Sequence, residues 1–413
     1  MNMSHARLIA LRIVRSLWFT PAAYAVLAVL VLLFAPAAAV LLPDEFNKLI
    51  GLDGVGDLLG VLANTLLAVA IFSLGIMVSS LQAAASAATP RARPLMMQDR
   101  TAQNAISVFI GGFIFSIVGT MGLSTSYYGP PARVILFMAT CLVIVSVIYA
   151  LLRWIARLSN LGDVSEVVDL LEAAADEALA ELARRPLLGG VALEAMPDHG
   201  VPLRAGEFGF VQAIDDQMFT ALSSEQDVDF YLGVRPGTYV DSTTVLLKTS
   251  KALDEETTKS VRAAFVIGGE RTFEADPRYC LIVLSETASK ALSAGINDPG
   301  TAIDVLGTAL RVLARWSSLA RETTASVTCP RLHVPPVTVE EMVGDAFRWI
   351  ARDGAGQLEV QVRLQKALRS LAAHDPAHFG EAARTMSQEA FARAKIGLEL
   401  AEDVEILERF VID

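Results

Sequence analysis

The spacing of apolar positions changes three times along this chain. Four long unbroken apolar runs come first, roughly 18–42, 57–82, 105–124 and 131–152, each close to the ~20 residues that cross a hydrocarbon core as a helix. The first run is too long for a signal peptide, and no small-residue cleavage site precedes a polar mature start, so it reads as a retained helix. A helical period follows in "DVSEVVDLLEAAADEALAELARR": Val164, Val167, Val168, Leu171, Ala175 and Leu179 form one stripe, with carboxylates opposite. It ends at Pro186, with Gly189 and Gly190 beyond. Between ~189 and ~250 the runs shorten and alternate, as in "GEFGFVQAI", "DFYLGVRPGTYV" and "STTVLLK", punctuated by Pro197, Gly200, Gly206, Pro236 and Gly237. These are strand and turn signals, with one helix, "IDDQMFTALSSEQ", inserted and Asp215 at its N-cap. From ~251 the helical period returns over 254–266, 277–293, 299–318, 338–352, 356–373, 376–393 and 395–410, interrupted by the Pro-rich "TCPRLHVPPVT".

The pattern predicts a membrane protein in four parts. A four-helix transmembrane bundle occupies 1–158, a connecting helix 159–188, a small cytosolic mixed α/β module 189–250, and an all-α cytosolic region 251–413. Composition agrees: 53% of residues are hydrophobic and 19% charged, with mean hydropathy +0.46, against about 25% charged in soluble domains. Arginine sets the orientation. Arg7, Arg12 and Arg15 precede the first span, Arg91, Arg93 and Arg100 separate the second from the third, and Arg153 and Arg157 follow the fourth. The opposite connections hold only Lys48, among Asp44, Glu45 and Asp53, and Arg133. The positive-inside rule then places both termini in the cytoplasm of a bacterial inner membrane. Trp18, Tyr24, Tyr127, Tyr128 and Trp154 fall near span ends, as interfacial aromatics do.

A net charge of -11 with no basic stripe argues against nucleic acid as a partner. Cys141, Cys280 and Cys329 are too scattered for a disulfide framework or a zinc set. No phosphate-binding loop, nucleophile elbow, metalloprotease or dinucleotide fingerprint occurs, so no cofactor, metal or catalytic residue is expected.

The second span is the least apolar. Positions 64, 68, 75, 79, 82 and 86 recur at helical spacing and carry Asn, Ala, Gly, Ser, Gln and Ser. One face is therefore small or polar throughout. It suits tight helix packing, or it lines a permeation path in an oligomer through Asn64, Gly75, Ser79 and Gln82. No acid or base lies well inside a span, which disfavours proton-coupled transport. In the third span Gly112, Ser116 and Gly119 share a face suited to helix contact.

The stretch "GGERTFEADPRYCLIVLSETASKALSAGINDPGTAIDVL" resembles a family of bacterial membrane proteins designated only as a domain of unknown function, DUF2254. "FSLGIMVSSLQAAASAATPR", "GEFGFVQAID" and "VRPGTYV" carry the same resemblance, which spans nearly the whole chain. It implies an N-terminal multi-span domain and a cytosolic domain, and no established activity. The chain departs from the pattern at Ala294, where the family has Pro, at Gly300, where an aromatic is typical, and at Ala275, where Gln is typical.

Local chemistry explains most of "ALSAGINDPGT". Asp298 is an N-cap, Pro299 takes the first helical position, and Gly295 suits the C′ position of the preceding helix. The helix start also suits a small anionic ligand or a gating contact, if the fold gathers Arg271, Lys290, Asn297 and Asp298. Asp215 and Asp216 are adjacent acids that point different ways and read as a helix start. His374 and His378 are four apart, but Pro376 places a helix boundary between them. The expected function is passive permeation of an ion or small solute by a homo-oligomer in the lipid bilayer, gated by its cytosolic part. A membrane-anchored sensor or scaffold is the alternative, and a hydrolase using Asp298 or Asp215 a more remote one.

Overall fold

The computed structural model describes residues 54–97, 100–124, 130–158 and 162–412, with scattered helical positions between 19 and 34. The rest of the expected first span, the arginines at 7, 12 and 15, and Trp18, Tyr24, Tyr127 and Tyr128 lie outside the described residues. The chain divides into one unit of Met1–Ala84 with Arg93–Asp163 and a second of Ala85–Ala92 with Val164–Asp413.

In the first unit α1 (Gly54–Ala87), α2 (Arg100–Ser124) and α3 (Pro130–Leu158) are long and apolar. The segments Gly54–Ala84, Thr101–Ser124 and Arg133–Leu158 each suffice to cross a membrane by length and composition. Three candidate spans therefore stand among the described residues, where the sequence predicts four. They pack through two apolar clusters, one around Leu59, Phe115 and Leu136, the other around Leu66, Met77, Phe109 and Trp154. Trp154 is buried in that core, not placed as an exposed interfacial ring. The buried hydroxyls of Ser107, Ser116 and Thr140 donate to the carbonyls of Gln103, Gly112 and Leu136, four residues back, which satisfies them where water is absent.

Close approach falls on the third span. A Cβ on Gly112 would lie 2.7 Å from Leu66 Cδ1, and one on Gly119 3.0 Å from Leu59 Cδ1. Leucine at position 112 overpacks this contact, so Gly112→Leu should cost about 1–3 kcal/mol. Thermal unfolding in detergent measures it, and an unchanged melt would mean that α1 and α2 do not meet at Gly112.

After Ala85–Ala92 the second unit continues with α4 (Val164–Arg184), which buries Val167, Val168, Leu171, Ala175 and Leu179 of the predicted stripe and leaves Val164 half-buried. Two sheets follow. The five-stranded sheet runs β1 (Val191–Ala192), β8 (Leu332–Val334), β4 (Phe230–Leu232), β6 (Val245–Thr249) and β2 (Val201–Arg204). β8 pairs in parallel with both β1 and β4. The three-stranded sheet runs β5 (Tyr239–Val240), β3 (Gly209–Ile214) and β7 (Phe265–Gly268), all antiparallel. β7 and β8 come from beyond residue 250, out of stretches whose sequence reads as a helix end and a Pro-rich connection. The helix α5 (Asp216–Gln226) buries Phe219 edge-on against Phe230 and Phe265 in the sheet core.

After α6 (Glu255–Ala263), six helices complete the unit: α7 (Pro277–Ala291), α8 (Pro299–Glu322), α9 (Val339–Asp353), α10 (Leu358–His374), α11 (Pro376–Gly397) and α12 (Ala401–Glu408). α4 packs on α7 and α8, α9 on α7 and α11, and α10 on α8 and α11. The predicted helix 395–410 is instead broken by extended backbone at Leu398 and Leu400. The break falls beside a tertiary contact: at Gly397 the chain meets the backbone of Ala355, which a Cβ would approach to 2.7 Å. Side-chain caps from Asp276, Asp298, Thr338 and Asp375 open α7, α8, α9 and α11.

Candidate functional site

Within the second unit a cleft of about 330 Å³ lies where three loops meet. One wall is the turn 233–238 between β4 and β5. A second is the run from Arg271 into the start of α7. The third is Pro335–Val337, after β8, together with Glu341 in the first turn of α9. The sequence dictates the turn. Gly237 has φ +92, a left-handed conformation that favours glycine, and its N–H donates to Val211 O at 2.8 Å. Pro236 fixes the residue before it, and Thr238 Oγ1 accepts from Arg235 N at 3.2 Å.

Three guanidinium groups line the cleft. Arg271 donates from Nε to Asp276 Oδ2 at 2.7 Å and lies 4.9 Å over the Tyr279 ring. The other oxygen of the buried Asp276 accepts the Tyr279 amide at 3.1 Å and caps α7. Arg278 donates from Nε to Asp345 Oδ2 at 2.6 Å and from Nη1 to Glu341. Glu341 in turn receives Thr338 N at 3.1 Å in a capping box. Burial pushes the Asp345 carboxyl above its ordinary range despite the Arg278 bond. Arg235 differs. Its guanidinium donates only to the carbonyls of Pro186 and Pro335, and among the described residues it has no ion pair with a carboxylate. Burial lowers its pKa to about 10, with Glu341 and Asp276 opposing, so it stays cationic at neutral pH.

The other sequence-derived candidates fall elsewhere. Arg271 stands before the start of α7, whereas Lys290, Asn297 and Asp298 stand at or beyond its other end. Fifteen helical residues separate the two by about 20 Å, so the fold does not gather the four. Asp298 accepts Thr301 N at 3.1 Å and Thr301 Oγ1 at 2.6 Å. Those bonds hold its carboxyl below the usual range. The left-handed residue in the loop is Asn297, φ +52, not Gly295; Asn takes this conformation more readily than other side chains do. Asp215 precedes α5 without a side-chain cap, and Asp216 pairs with Arg185. His374 ends α10 and contacts Ser318, while His378 lies in α11 against Asp375. The candidates on α1, Asn64, Gly75, Ser79 and Gln82, are all exposed. Among the described residues no hydrogen-bond partner meets the side chains of Asn64, Ser79 or Gln82, and a Cβ on Gly75 would meet nothing within 4 Å.

Arg235, Asp276, Arg278 and Glu341 were not singled out by spacing or motif. Arg235 stands inside "VRPGTYV", and Asp276 and Arg278 inside "ADPR", two stretches that mark the resemblance; Glu341 lies in neither, and nothing in the linear order brings them together.

Three helices fit to span a bilayer, joined to a large polar unit of two sheets and packed helices, define a membrane protein with an extensive non-membrane part. A model for the DUF2254 family, described as predicted membrane proteins, matches residues 14–370, and the chain belongs to that family. No curated protein and no solved structure matches the chain.

Proposed function

We propose that this protein is a channel-like homo-oligomer for passive permeation of an ion or small solute, gated by its polar unit. We place it in a bacterial inner membrane with both termini cytoplasmic. The observation that supports this reading is the exposed face of α1. An amide that meets no partner in hydrocarbon costs several kcal/mol, so Asn64 and Gln82 call for another polar surface or for water. Among the described residues the tight contacts of α1 go through Leu66 and Leu59 to Gly112 and Gly119, not through this face. A ring of second spans around an aqueous path supplies what these side chains need. The helix also continues to Ala87, and Ala85–Ala92 belong to the second unit, where Arg91 pairs with Glu286. That continuity gives a ligand in the polar unit a covalent route to the pore helix.

Ion flux from proteoliposomes tests it. The wild-type protein should conduct, and Gly75→Trp, which fills the face, should cut flux at least ~10-fold, a barrier increase of about 1.4 kcal/mol. Absence of flux for small cations, anions and neutral solutes alike overturns the reading.

The second reading is a membrane-anchored sensor whose polar unit binds a metabolite or protein. The cleft around Arg235 supports it, and it needs no pore.

A further inference from the structure

We propose that the cleft bounded by the turn 233–238, the start of α7 and Pro335–Val337 binds a small organic anion: one carboxylate or phosphate group on an apolar body about one ring in size. The inference deepens the ligand-binding reading and is independent of permeation.

The charge on the lining points to an anion. Three arginines, Arg235, Arg271 and Arg278, line the cleft beside Asp276 and Glu341; Asp345, behind Arg278, balances the third charge, but its bonds go to Arg278 and none reaches Arg235. The carboxylates are committed. Asp276 gives one oxygen to Arg271 and the other to the α7 amide of Tyr279, and Glu341 is shared between Arg278 and the α9 capping box. Arg235 is therefore the cleft arginine that, among the described residues, no carboxylate contacts. Of its five N–H donors, Nη1 serves two carbonyls and Nη2 one. That leaves Nε–H and one Nη2–H, the paired edge that a carboxylate or phosphate accepts in bidentate fashion. A half-buried guanidinium without a counter-ion is costly, and an incoming oxyanion relieves that cost.

The walls point to the body of the ligand. Pro236, Pro277, Pro335 and Pro336, with Val234 and Val337, line the same cleft. Prolines are rigid before binding, so ordering them on association costs little. The volume, about 330 Å³, falls at the small end of ligand pockets, roughly 300–1,000 Å³. A bare cation is disfavoured by the arginines.

The test uses the full-length protein in detergent, with thermal unfolding and calorimetric titration. Benzoate and phenyl phosphate are the probes, benzamide the uncharged control, and inorganic phosphate the control without an apolar body. Benzoate and phenyl phosphate should bind saturably and raise the melting temperature. Inorganic phosphate should bind about tenfold more weakly, as expected when the ring contact is lost, and benzamide should give no shift. Arg235→Gln should abolish binding. Because Arg235 also ties Pro186 to Pro335, Val337→Trp is the second variant; it keeps every arginine and fills the cleft, and it decides if Arg235→Gln melts early without ligand. The proposal is overturned if neither anion binds, if benzamide binds as well as benzoate, or if both folded variants bind like wild type. Flux is measured separately, so failure here leaves the permeation reading untouched.

Discussion

Gly237→Ala destabilises the polar unit by about 2–4 kcal/mol, the sum of backbone strain and a lost helix cap. A side chain at φ +92 is strained before it meets anything. It then meets a wall: its Cβ would lie 2.2 Å from Asp276 Oδ2, 2.7 Å from Asp276 Cγ and 2.9 Å from Arg271 Nη2. Asp276 cannot retreat cheaply, because it is buried and holds both the Tyr279 amide and Arg271. Either the turn opens, or the cap and the ion pair break. Chemical denaturation of the full-length protein in detergent should show the loss, and benzoate binding should fall with it. Gly269→Ala is the control. It stands close by, with nothing within 4 Å of its Cβ and no positive φ, so its effect stays within about 0.5 kcal/mol. If Gly237→Ala and Gly269→Ala melt alike, the turn is not pressed against the Asp276–Arg271 pair.

The second large effect belongs to Asp375, at the junction of α10 and α11. It is only 2% exposed and accepts from Ser317 Oγ at 2.9 Å, His378 Nδ1 at 3.0 Å and His378 N at 3.3 Å. Asp375→Ala removes the α11 cap and orphans the buried Ser317 hydroxyl, a cost of about 2–4 kcal/mol. The pH dependence follows from the direction of its pKa. Burial pushes the carboxyl up, but the bonds from Ser317 and His378 outweigh burial and hold it below its ordinary 3.8. A carboxyl with a depressed folded-state pKa contributes stability that is present above the unfolded value. That contribution is lost as pH falls through the folded value. The wild-type protein should therefore lose stability relative to Asp375→Ala only below about pH 4, read as converging melting temperatures in an acid titration. A constant gap down to pH 2 would show that the charge on Asp375 does not matter.

Much of the architecture was legible because the signal was periodic. Three of the four apolar runs are helices fit to span a membrane, and five of the six positions of the α4 stripe are buried, Val164 being half-buried. Helix starts were readable where an Asp precedes a Pro: Asp276–Pro277, Asp298–Pro299 and Asp375–Pro376 all open helices. Short elements were not. β8 has three residues between prolines and owes its existence to β1 and β4 on either side. β7 is four residues, of which the predicted helix 254–266 had absorbed the first two. Both strands are stabilised by partners more than 50 residues away, and no local spacing reports such pairing.

Periodicity alone locates three candidate membrane segments and most of the long helices, because burial against lipid or core repeats at fixed intervals along one helix, and four short stretches mark the family. The site exists only in the folded chain. Arg235 sits on the turn 233–238, Asp276 and Arg278 at the start of α7 and Glu341 in the first turn of α9, segments far apart in the chain that meet only in the folded unit. In "ALSAGINDPGT", by contrast, Asp298 is satisfied by Thr301 within its own turn. An arginine left without a counter-ion is visible only once every carboxylate near it has been assigned to something else.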